Sequence, residues 1–113
     1  MMKRVLLGIL GSLAIALLLG CAAHTKISDI NKDPGRFAGS EVTVSGHTSQ
    51  SFGALSNGAF QVDDGSGTIW VVSQNFGVPG NGSKVTVTGT VQQGFNFGAR
   101  SFGTVIRQTK NRK

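Results

Sequence analysis

The sequence predicts an all-β fold, a small five-stranded barrel, and three observations carry that expectation. Five segments alternate apolar and polar residues with a period of two, as strands buried on one face do. Two of them echo each other, "VTVSG" at 42–46 and "VTVTG" at 85–89. Each sets a glycine just after two inward valines, where a strand of a small barrel must bend. Finally, "DDGSG" at 63–67 makes a tight Asp/Gly corner between two of the five segments.

The chain of 113 residues does not begin with the barrel. Lys3 and Arg4 precede an unbroken apolar run, Val5 to Leu19, which ends at Gly20 and Cys21. A positive start, a short apolar core and a small residue before the cut predict an export signal over residues 1–20. The run is short for a membrane span, which needs about 20 apolar residues. Its end, "LLGC" at 18–21, resembles the lipobox of bacterial lipoproteins, although Leu19 stands where a small residue is more usual. That resemblance implies cleavage before Cys21, a diacylglyceryl thioether on Cys21 and a palmitate-type acyl group on the new amino terminus. It also implies a membrane anchor in the bacterial envelope. With Ala22 in place of an aspartate, the resemblance favours the outer membrane, facing the periplasm. Cys21 is the sole cysteine, so no disulfide framework supports the rest of the chain.

Residues 21–26 read as a tether. Ser28 is expected to cap a short helical turn with Ile27 and Ile30 turned inward, Pro34-Gly35 to stop it, and Phe37 to pack under the barrel. The strands follow at Glu41–Gly46, Ala59–Asp63, Thr68–Ser73, Lys84–Gln92 and Arg100–Gln108. Two long, soft loops are expected between them, His47–Gly58 and Gln93–Phe102, and a basic tail at 109–113.

The corner and its strands, "VDDGSGTIWV", resemble the β2–β3 hairpin of OB-fold domains. "DPGRFAGSEVTVSG" and "GSKVTVTGTV" are similar to the first and fourth strands of bacterial members related to anticodon-binding OB domains. The resemblance implies a five-stranded OB-type Greek-key barrel over 27–108. Such barrels bind ligands on the strand 2–3 face and through the loops joining strands 1–2 and 4–5. One departure stands out: the usual helix between strands three and four is replaced by "QNFGVPGNG" at 74–82, which leaves the N-terminal turn to close that barrel end.

If Ile69 and Val71 point inward, Trp70 faces out by alternation. Phe52, Trp70, Phe95, Phe97 and Arg100 are the candidate ligand-binding set, a platform on which a planar ring could stack. The competing reading has several of these phenylalanines filling the core. Residues 21–106 hold five basic and five acidic residues, so the excess charge sits in Arg107, Lys110, Arg112 and Lys113, the candidate polyanion contacts. Nucleic-acid affinity rests on phosphate neutralisation, and a neutral core argues against it. No nucleophile–base–orienter set can be assembled around His24 or His47, so no enzyme, cofactor or metal is expected. The expectation is an envelope-anchored, non-enzymatic binding or structural module for an envelope ligand or protein partner. Single-stranded nucleic-acid or other polyanion binding is the alternative.

Overall fold

A computed structural model describes residues 24–54, 57–97 and 100–112. The segment predicted as an export signal, Cys21 and Lys113 lie outside the described residues. Two short helices, α1 (Ile27–Lys32) and α2 (Pro34–Phe37), precede five strands. These are β1 (Glu41–Ala54), β2 (Asn57–Asp63), β3 (Thr68–Ser73), β4 (Lys84–Phe97) and β5 (Arg100–Gln108). The strands close on themselves in the order β1-β2-β3-β5-β4, with β4 returning to β1. All neighbours are antiparallel except β3 and β5, which run parallel.

The alternation seen in the sequence becomes the core. Val42, Val44, Phe60, Val62, Ile69, Val71, Val85, Val87, Val91 and Ile106 form one buried cluster with Ile27 and Ile30. Burying each isoleucine stabilises the fold by about 1.5–3 kcal/mol, so α1 is part of the core. Phe37 packs against the same cluster.

Ser28 does not cap α1. The cap position is Lys26, which makes no side-chain cap bond, and the helix is capped instead from the β2–β3 corner. Asp64 Oδ2 accepts the Ile27 N–H at 2.9 Å, and Ser66 Oγ accepts the Ser28 N–H at 3.1 Å. These are two of the four donors that a helix start leaves without an internal partner. Pro34 both ends α1 and opens α2, where its missing N–H costs nothing.

The two predicted loops are mostly strand. β1 runs on to Ala54 and β4 to Phe97, so the described residues of His47–Gly58 and Gln93–Phe102 are mostly paired in long antiparallel ladders. The distal half of β1 pairs with β2 once its proximal half has finished pairing with β4, the exchange falling at His47. Glycine and serine content suggested loops, but ladder pairing along both hairpins outweighs that weak local preference. The ladder of β1 shifts between Thr48 and Gln50, which leaves Ser49 as an extra residue. Such a bulge reverses the inward–outward phase of every side chain beyond it.

Candidate binding face

Beyond the bulge, Phe52 pairs with Ala59 of β2, and Ala59 pairs with Val72 of β3. Ala59, Val72 and Val105 are fully buried yet stand outside the core cluster, on the outer face of the sheet. Trp70 lies on that face too, between the inward Ile69 and Val71. Phe52, Trp70 and Phe102 gather over it. The Phe52 and Trp70 rings stand 5.8 Å apart at 60°, Trp70 and Phe102 5.2 Å apart at 54°, and Phe52 and Phe102 6.2 Å apart at 11°. Edge and offset contacts of this kind add about 0.5–1.5 kcal/mol per pair beyond burial. Each ring is half-buried, so the cluster is at once a cover for three small apolar residues and a surface facing solvent.

Of the candidate set, the structure brings Phe52 and Trp70 together. Phe95 sits directly opposite Phe102 in the β4–β5 ladder. Phe97 and Arg100 form the last backbone pair of that hairpin, and their side chains lie outside the described residues. Phe102 belongs to the cluster but not to the set chosen from sequence. Counting back from the inward Ile106 puts Phe102 in the inward phase. Yet β5 pairs with β3 only over Val105–Arg107, and Arg100–Phe102 continue as a ribbon paired with β4. Two-stranded ribbons twist more strongly than closed sheets, and this one brings the ring onto the outer cluster. No sequence signal pointed to it, since its phase on β5 is inward. Phe60 and Phe37 are the phenylalanines given to core packing.

The basic residues are placed individually. Arg107 is exposed on the outer face, in register with Val72 and Thr90. Lys110 pairs with Glu41 at 3.3 Å, an exposed ion pair. Arg112 does not belong to a solvated tail. Its guanidinium lies 5.3 Å from the centroid of the buried Phe60 ring and donates to the carbonyls of Phe76 and Gly77 and to Gln108 Oε1. Burial lowers its pKa, and it stays charged. These bonds tie the C-terminal segment to the β3–β4 loop.

The corner carries its own electrostatics. Asp64 Oδ1 accepts the N–H groups of Ser66 and Gly67 and the Ser66 hydroxyl, while Asp63 Oδ1 accepts the Gly65 N–H. Gly65 takes φ +87°, as the turn demands. Burial works against the Asp64 charge, but the donors from Ile27, Ser66 and Gly67 outweigh it and hold the carboxyl below its ordinary 3.8. Beside the corner runs an open groove of about 560 Å³, where Asp63, His47 and Lys84 stand in one row across β2, β1 and β4. Among the described residues, no group of three or more His, Cys, Asp or Glu side chains could hold a metal ion.

No protein-family model matches the chain, and no curated protein matches it. Among solved structures, it is similar to an OBody bound to hen egg-white lysozyme, with a TM-score of 0.51 and 18% identity. The match covers 66% of this chain and 81% of that one. This likeness is one of fold: an OB-like, all-β architecture.

Proposed function

We propose that the protein is a lipid-anchored, non-enzymatic OB-fold module of the bacterial envelope that binds an envelope ligand or protein partner. One observation carries the binding reading: the outer cluster of Phe52, Trp70 and Phe102, contributed by three strands and lying where OB barrels take their ligands. Aromatic side chains, tryptophan above all, dominate binding energy where they are central to a contact surface. The OBody neighbour, bound to lysozyme, is an OB-type scaffold engaged with another protein, and is in keeping with a face of this kind. The anchor rests on the sequence: the charged start, the apolar run and "LLGC" before the sole cysteine. Several acyl chains on Cys21 would hold the barrel stably at a membrane where one would not.

The anchor is tested by the intact mass of the protein from native membranes. The expected mass is that of residues 21–113 plus diacylglycerol and an acyl group, and Cys21→Ala abolishes the lipid increment. Recovery of the full chain with an unmodified cysteine overturns this part. The face is tested on the lipidated protein in detergent micelles, by NMR of the Trp70 indole N–H during titration with envelope extracts and with oligo(dT). Trp70→Ala is expected to weaken the bound partner by about 1–3 kcal/mol. An unchanged affinity, with partner contacts confined to Arg107 and Lys110, instead supports binding of single-stranded nucleic acid or another polyanion.

A further inference from the structure

The aromatic cluster lies across a row of side chains that the strand register makes continuous. Gln50 pairs with Gln61, Gln61 with Trp70, Trp70 with Val105, and Val105 with Gln92. The row spans β1, β2, β3, β5 and β4, and every member points outward. Gln61 neighbours the inward Phe60 and Val62, Gln92 follows the inward Val91, and Gln50 is out of phase with the core because of the bulge at Ser49. One indole therefore stands with carboxamides on both sides and no charged residue among the five. Gln61 accepts from the Ser49 hydroxyl at 3.0 Å and donates weakly to Thr68 Oγ1 at 3.4 Å; Gln92 donates to the Gly94 carbonyl at 3.2 Å. An amide offers two donor hydrogens and two acceptor lone pairs, so both retain capacity for a ligand.

Taken with the binding face proposed above, on which it rests, we infer that the ligand is an uncharged, polyhydroxylated ring compound: a neutral glycan. Its chemistry fits three features of the row. The apolar face of a sugar ring packs on an indole, as aromatic side chains with an apolar body allow. Ring hydroxyls both donate and accept, as the glutamine amides do. Nothing in the row itself attracts phosphate, whose binding needs cations; the cation beside it on the outer face, Arg107, stands two residues beyond Val105, and titration with oligo(dT) and heparin tests it. An extended peptide is served less well. It is ordinarily captured by an unpaired strand edge, and around Trp70 the strands β2, β3 and β5 are paired on both sides, so the centre of the row offers only side chains; β1 at Gln50 and β4 at Gln92 pair with one strand each, and a response to the peptide alone would point to those edges.

Trp70 is the only tryptophan in the chain, so its fluorescence reports this face alone. The full lipidated protein in detergent micelles is titrated separately with an N-acetylglucosamine tetramer, maltotetraose, oligo(dT), a heparin fragment and an acetylated, amidated neutral peptide. The expected result is a saturable change in Trp70 emission with at least one of the two neutral saccharides. Its midpoint should move less than about twofold between about 0.05 and 0.5 M salt, because no charge is being screened. Gln61→Glu and Gln92→Glu each remove an amide donor and are expected to weaken binding on the order of tenfold, the loss of about one hydrogen bond. Gln74→Glu adds the same charge in the β3–β4 loop, outside the row, and is expected to change nothing. If Trp70 responds only to oligo(dT) or heparin, with steep salt dependence, or only to the peptide, the glycan assignment is overturned while the face itself stands. If Trp70 responds to none of the five, the glycan assignment falls. The indole N–H titration with envelope extracts then decides separately whether the face binds anything.

Discussion

Gly89→Val and Gly46→Val are each expected to lower the melting temperature by roughly 5–20 °C, corresponding to about 1–3 kcal/mol of overpacking. Both glycines end the "VTV" runs of β1 and β4. Neither has a positive φ, so the requirement is one of space. A Cβ on Gly46 would fall on the carbonyl of Asp63, and one on Gly89 on the carbonyl of Arg107, with the Ile106 side chain 2.7 Å away. The obstacle is backbone of the adjoining strand, which cannot rotate aside as a side chain does. Gly89 is buried and pairs with Gln108, where β4 leaves β1 for β5. Gly46 stands one residue before His47, where β1 passes from β4 to β2. The barrel therefore closes through two points of strand-on-strand contact that admit no side chain. Gly103→Ala is the control: it lies in β5, a Cβ there meets nothing within 4 Å, and its melting point should stay with the parent. Valine variants at 46 and 89 that melt like the parent would show that closure does not depend on this contact.

The second large effect falls at the corner. Asp64→Ala leaves the N–H groups of Ile27, Ser66 and Gly67 without their carboxylate and removes the cap on α1. The expected loss is about 1–3 kcal/mol, the penalty for donors left unpaired, with the larger part from the half-buried Ile27 bond. Asp64→Asn retains an acceptor of the same shape and is expected to lose less, since the bonds are no longer charge-assisted. Because the folded-state pKa is depressed, the stabilisation is fully present above the unfolded value of about 3.9. It is lost as the pH falls through the lower folded pKa. A denaturation series from pH 6 downward should therefore show the wild type losing stability below about pH 4, with a smaller loss in Asp64→Ala. Parallel curves would mean that the carboxylate does not hold the helix.

The corner separates bonds set by local sequence from bonds set by the fold. Asp and Gly at 63–67 specify a turn and its internal bonds by local chemistry alone, because the bonded residues are at most three positions apart. The same Asp64 also reaches Ile27 across 37 residues, and no local pattern announces that bond. Ser28, a good helix cap by type, lost the position to a carboxylate on another element.

The places of the five strands, the inward valines of their barrel portions and the inward isoleucines of α1 were legible in the sequence, because a period of two or an apolar pair follows from the burial of a face and needs no partner to be named; the distal halves of β1 and β4 were not. The sequence also carries the proposal of an export signal and of lipidation at Cys21, which rests on residue order and requires no fold. Which rings gather on the outer face was settled only by tertiary structure. Alternation counted from Val42 and Val44 sends Phe52 inward, and alternation counted from Ile106 sends Phe102 inward. A one-residue bulge at Ser49 turns the first outward, and the twist of the β4–β5 ribbon brings the second alongside Trp70. Both are effects of register and coiling, set by which strands meet and where they part. A phase error of one residue exchanges the core for the surface, so side-chain identity cannot settle the face until the pairing is known.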